Sequence, residues 1–157
     1  MAKAGYAVTT GAAVALSAAT AKSVLAVLSP SGFGVDLISY SLSFDGVTAS
    51  AVPVLVEVCT STNATNSTPG TNNTTGTVNQ IYGRSITAGF TAFYASTSEP
   101  TVLTVVESHL LTPVGGLIVR DYPLGQTIDT AVSAGLVLRV TAPATVNCRA
   151  LMRFERC

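Results

Sequence analysis

The sequence predicts an all-β protein built as an antiparallel sandwich. Three observations carry this. Apolar residues recur with a period of two over most of the chain, the spacing of a half-buried strand. Gly, Pro and Asp-Gly signals interrupt these runs about every ten residues. The helical period is absent: Ala12–Lys22 is the one helix-friendly segment, and its Thr and Val content makes helix the weaker reading there.

Taken in order, Ala12–Ala18 and Ser23–Leu28 fit as weaker strands. Val35–Gly46, "VDLISYSLSFDG", alternates clearly. Ile38, Tyr40, Leu42 and Phe44 should face inward, with Ser39, Ser41 and Ser43 outward, and Asp45-Gly46 marks the turn that ends it. Pro53–Cys59 is rich in Val, with Glu57 pointing out. Ser85–Phe90 is a weak strand, and Thr101–Leu111 a long one. Gly116–Pro123 follows Pro113 and the Gly115-Gly116 pair, and Thr127–Val132 is weak. Gly135–Pro143 and Thr145–Arg156 close the chain. In the last, Val146, Cys148, Ala150, Met152 and Phe154 oppose Asn147, Arg149, Leu151, Arg153 and Glu155.

Eight to ten short antiparallel strands in one 157-residue domain fit a jelly roll. An immunoglobulin-like sandwich is the alternative; it usually needs fewer residues and often carries a core Trp, and this chain has none. Residues 1–157 read as a single domain with no linker and no repeat. Two segments stand apart. The start, about residues 1–10, is small and polar and reads as an extended N-terminal arm. Ser61–Gln80, "STNATNSTPGTNNTTGTVNQ", holds seven Thr and five Asn with no charge, and reads as a long loop. Its Asn-x-Ser/Thr triplets at Asn63, Asn66, Asn72 and Asn73 read as turn chemistry rather than glycosylation sites.

The composition narrows function. Hydrophobic residues make up 48% and charged residues 10%, with no net charge; an ordinary soluble domain carries about 25% charged residues. Such a surface should associate, so a homo-oligomer is expected. Eight Lys and Arg balance eight acids without a basic run, which argues against a nucleic-acid partner. No window is apolar for long enough to span a membrane as a helix. Thr9, Thr10, Ser17, Thr20 and Lys22 break the apolar run that a secretory leader needs.

No constellation points to an enzyme, a metal or a cofactor. The three cysteines show no zinc spacing; Cys59 reads as a small core residue and Cys157 as a free terminal thiol open to an interchain bridge. The sole histidine, His109, lies two residues from Glu107, but without a nucleophile elbow the pair reads as outward polar alternation. The five tyrosines are scattered, so no sugar platform is legible. Arg149 and Arg153 share the outward face of the last strand and could meet an acidic partner surface.

Three segments carry a resemblance: "FDGVTASAVPVLVEVC" (Phe44–Cys59), "VVESHLLTPVGGLIVRDYPLG" (Val105–Gly125) and "GLVLRVTAPATVNCRALMRFE" (Gly135–Glu155), together 58 residues. They resemble small all-β structural proteins of tailed bacteriophage virions, the class that includes head decoration or cement proteins. The resemblance implies a non-enzymatic protein on the capsid exterior, made in the host bacterial cytoplasm. It would bind the major capsid protein and its own copies, with a trimer as the first expectation because capsid lattices offer threefold sites. The alternative is a tail spike or fibre module that binds a receptor or carbohydrate. The expected contact residues are Tyr6, Thr9 and Thr10 in the arm, Asn63, Asn66, Asn72 and Asn73 in the loop, and Arg149 and Arg153.

Overall fold

The computed structural model describes residues 4–45, 52–62, 74–112 and 117–157. They form thirteen strands: β1 (Gly5–Thr9), β2 (Val14–Leu16), β3 (Ala21–Leu28), β4 (Val35–Phe44), β5 (Val54–Thr62), β6 (Thr74–Gly76), β7 (Val78–Tyr82), β8 (Thr91–Tyr94), β9 (Leu103–Leu111), β10 (Leu117–Asp121), β11 (Ile128–Asp129), β12 (Ala134–Thr141) and β13 (Val146–Arg156). No helix occurs among the described residues. The count exceeds the expected eight to ten because β1, β6, β7 and β8 form where no strand was expected, while β2 and β11 are short pieces of the expected weak strands at Ala12–Ala18 and Thr127–Val132.

The strands form two antiparallel sheets packed face to face. Sheet I has the order β10-β4-β13-β1-β7, with β11 joined to β4 and β2 to β13; sheet II has the order β6-β8-β3-β12-β5-β9. The core between them draws on both, with Tyr6, Val8, Leu37, Tyr40, Leu42, Met152 and Phe154 from sheet I and Leu25, Val56, Val58, Leu136, Leu138 and Val140 from sheet II. β13 behaves as its alternation predicts: Val146, Cys148, Ala150, Met152 and Phe154 are buried, and Arg149 and Arg153 are exposed.

β4 departs from its predicted face. Leu37 lies opposite Phe154 and Ser39 opposite Arg153, so Ile38 is an extra residue, a β-bulge. The bulge resets the pleat. Val35 and Leu37 before it and Tyr40 and Leu42 after it all reach the core, while Ile38 is left half-buried.

The N-terminal segment is not a free arm. β1 lies between β13 and β7, and Tyr6 is fully buried. The Tyr6 ring stacks near Phe154 and meets Phe90 edge-on, and its hydroxyl donates to the Ile86 carbonyl at 3.2 Å. Thr10 is buried too, its hydroxyl accepting from the Ala150 amide at 3.1 Å. The reading of Tyr6 as a partner contact is therefore corrected: it is a core residue.

The Asn/Thr stretch is also not wholly a loop. Ser61 and Thr62 finish β5, Thr74–Gly76 is β6, and β7 takes Val78 to Gln80 and beyond; Asn63, Asn66, Asn72 and Asn73 lie outside the described residues. Thr favours extended backbone, and no charge opposes pairing. β6 adds to β8 and β7 adds to β1, so this part of the chain covers one edge of each sheet. The expected strand at Ser85–Phe90 is irregular instead. Gly89 adopts φ +70° there, with the Phe33 ring 2.9 Å from where a side-chain carbon would sit, and this turn sends Phe90 into the core.

β8 and β9 are separated in sheet II by three strands, so the 95–102 connection must cross β3, β12 and β5. It does so on the outer face. The amides of Ala95 and Ser96 donate to the carbonyls of Val24 and Ser23, and the Glu99 carboxylate accepts from the Ser23 amide at 2.6 Å and hydroxyl at 2.7 Å. Beyond the strap, Leu103 packs on a small second cluster of Ala26, Cys59 and Val137. Glu57, expected in solvent, is buried and bonded to Arg139 at 2.8 Å.

Candidate functional site

The outer face of sheet I is an open surface built from strands. Its rows follow from the register. Leu117, Ser43 and Arg149 lie side by side; then Val119, Ser41, Leu151 and Thr9; then Asp121, Ser39, Arg153 and Ala7. Leu117 is 63% exposed and Val119 59%, large values for apolar strand residues. Thr9, Thr10, Ser41, Ser43, Arg149 and Leu151 line a shallow groove of about 310 Å³. Of the residues singled out in the sequence, the fold thus gathers Thr9, Thr10 and Arg149, and Arg153 sits further along the same face. Thr10 contributes to the groove wall while its hydroxyl is engaged with the backbone. A guanidinium among hydroxyls can hold a carboxylate through paired donors, and the neighbouring Leu and Val can bury apolar surface.

At the open end of the sandwich, where β9 and β10 are the edge strands, the polar residues converge on Glu107. Tyr40 donates to its Oε1 at 3.1 Å and Tyr122 to its Oε2 at 2.8 Å. His109 bonds the same carboxylate, and Arg120 Nε lies 3.5 Å away. Arg120 also lies over the Tyr122 ring, 5.3 Å from its centre. Glu107 and His109 do share a face, as their spacing requires, but it is the face that ties sheet II to Tyr40 of sheet I; the reading of an outward solvated pair is corrected. Burial alone would raise the Glu107 pKa, but the bonds from His109, Tyr122 and Tyr40 outweigh it and leave the carboxyl below its ordinary value. Burial, then the Glu107 charge and hydrogen bond, push the Tyr40 hydroxyl well up, and burial and the Glu107 bond do the same for Tyr122. A carboxylate held ionised by several donors is a tether and a poor proton acceptor.

A second pairing lies at the other end of the rows. The Tyr82 ring lies across β1 at Gly5, and its hydroxyl donates to Glu155 on β13. Burial and that bond push the Tyr82 pKa up to about 12. Asp36 faces Glu155 across the strands, and a cleft of about 400 Å³ opens beside them. Tyrosines that are far apart in sequence, Tyr82 and Tyr122, both line it.

Among the described residues no group of His, Cys, Asp and Glu could hold a metal ion. The cysteines are free; Cys59 and Cys148 are buried. Burial pushes their thiols up to about 11 and about 12. Cys157 is exposed, but its sulfur lies 3.9 Å from the Thr130 carbonyl, and partial burial followed by the charges of Asp36 and Asp129 raises its pKa as well. Thiolate is the reactive form. With DTNB at pH 8 the native protein should therefore react at Cys157 alone, and more slowly than free cysteine; Cys59 and Cys148 should react only after denaturation. Rapid release of three equivalents from folded protein would contradict this burial.

No family model, curated protein or solved structure matches this chain. Sequence reasoning missed Tyr40, Arg120 and Tyr122 around Glu107, and the Tyr82–Glu155 pair. The available signal was a polar or aromatic residue at an inward position, which asks for a partner.

Proposed function

We propose that this chain is a non-enzymatic structural protein of a bacteriophage virion: a decoration or cement protein that binds the major capsid protein and its own copies on the capsid exterior. The observation that carries this reading is the outer face of sheet I, where Arg149 sits in a hydroxyl-lined groove beside the exposed Leu117 and Val119. Such a face suits a flat protein partner that presents a carboxylate within an apolar rim. The low charge content and the three resembling segments agree with it. The strand order also supports a jelly roll. Of the eight strands β1, β3, β4, β5, β9, β10, β12 and β13, the first lies beside the last in sheet I, and the second beside the seventh in sheet II. Threefold association of such sandwiches remains the preferred oligomer.

The test is co-sedimentation with capsids assembled from the major capsid protein of the phage that encodes this chain. Saturable binding is expected. Arg149→Glu combined with Val119→Asp should weaken it at least about tenfold, since a central charge-and-apolar pair commonly supplies more than 1.4 kcal/mol. Thermal stability should be unchanged, as both side chains are exposed. Failure of the wild-type chain to pellet with capsids, or its absence from purified virions, would end the proposal. A second reading, a tail module that binds a receptor or carbohydrate, is favoured by one observation: the cleft where Tyr82 and Tyr122 meet.

A further inference from the structure

We infer that the cleft between Tyr82 and the 122–127 loop is a binding site for a neutral saccharide. This deepens the second reading above and rests on it; the capsid experiment neither needs nor tests it.

A pyranose ring presents an apolar C–H face and a rim of hydroxyl groups. A site for it needs a flat apolar wall and acceptors fixed at its edge. The wall here is formed by the exposed Tyr82 and Leu124, backed by the largely buried Tyr122, and the edge by Thr127, Asp36 and Glu155, around a volume of about 400 Å³. That volume is in the range of small-molecule sites.

The wall is held in place before any ligand arrives. Tyr82 belongs to edge strand β7 and would be free to swing, yet two features fix it. Gly5 has no side chain, and a Cβ there would fall 2.2 Å from the Tyr82 ring, so the ring lies directly on bare backbone. Its hydroxyl is anchored on Glu155. On the other wall, the Tyr122 hydroxyl is anchored on Glu107 at 2.8 Å, and its amide donates to the carbonyl of Ile38, the bulged residue of β4. Rings fixed in this way lose little freedom on binding.

The acceptors decide the ligand class. Glu155 already takes the Tyr82 hydroxyl, and Asp36 also has a partner within the chain. What the carboxylates offer is therefore spare lone pairs rather than unmet charge, which suits hydroxyl donors better than a cation. Asp129 stands opposite Asp36 in the adjoining strand, so a third carboxylate is close by. Sialic and uronic acids would be repelled; neutral hexoses and N-acetylhexosamines would not.

Leu124 is 91% exposed, so it can be changed without disturbing the core. The fluorescently labelled chain is applied to an array of neutral and sialylated glycans, and the best neutral glycan is titrated while the amide NMR spectrum is followed. Wild type should bind neutral glycans, with shifts confined to Gly5, Tyr82, the 122–127 loop and Glu155. Leu124→Glu should weaken binding at least about tenfold, and Gly5→Val, which displaces the Tyr82 ring, should weaken it similarly. Val119→Asp, on the docking face, should leave glycan binding unchanged. Overturning results are no neutral glycan bound, a preference for sialylated or amine ligands, or equal binding by the Leu124→Glu variant.

Discussion

Gly34→Ala is expected to destabilise the fold by about 3 kcal/mol, as overpacking does where neighbours cannot yield. In a chain of this length that lowers the melting temperature by roughly 6–12 °C. A Cβ at Gly34 would lie 2.1 Å from the Thr130 carbonyl oxygen and 2.7 Å from the Cys157 sulfur. Neither neighbour is free to move. Gly34 and Cys157 exchange backbone hydrogen bonds at 3.2 and 3.4 Å. Next to them, the Thr130 amide donates to the Val35 carbonyl at 2.9 Å, and the Val35 amide donates to the Thr130 hydroxyl at 3.2 Å. Three separate parts of the chain thus meet on one bare backbone position. Gly32, in the same turn, provides the control: nothing lies within 4 Å of its missing side chain, so Gly32→Ala should change stability by less than about 0.5 kcal/mol. Both values come from urea unfolding; equal midpoints for the two variants would refute the crowding argument.

The order of strands along the chain was largely legible because a period of two is a local property. β13, β12, β5 and β9 lie close to where alternation and turn residues put them. The faces were less legible. In β4 the alternation contains two apolar sets, Val35 with Leu37 and Tyr40 with Leu42, and only the bulge at Ile38 lets both be inside. A bulge depends on the partner strand, so a single strand's pattern cannot show it. Tyr6, Val8 and Thr10 did carry a buried period of two, but their Gly, Ala and Thr neighbours masked it. The continuous burial of sheet II had no local cause either: the strap at 95–102 covers its outer face, and its contacts join residues more than seventy positions apart. The same holds for the sites. Thr9 and Arg149 come together because β1 pairs with β13, at opposite ends of the sequence.

The Glu107 cluster gives the second large effect. Glu107→Ala should cost on the order of 2–4 kcal/mol, because it leaves two tyrosine hydroxyls without their acceptor and removes the partner of His109 and Arg120. Leu103→Ala, on the same strand but off the cluster, should cost less, since Leu103 is only partly buried. The pH dependence has a definite sign. The folded-state pKa of Glu107 lies below its ordinary value of 4.5. Its contribution is therefore complete above about 4.5 and is lost as pH falls through the lowered folded value. Neutral side chains cannot follow that course. The stability difference between wild type and Glu107→Gln should shrink as pH falls below about 4.5. Tyr40 and Tyr122 supply two of the donors that hold the carboxylate ionised. In the Tyr40→Phe, Tyr122→Phe double variant, the Glu107 pKa, read by carbon NMR of the carboxyl, should rise towards the ordinary value. A pKa that stays put in that variant would show that the tyrosines do not hold this carboxylate, and the tether between the sheets would have to be sought elsewhere.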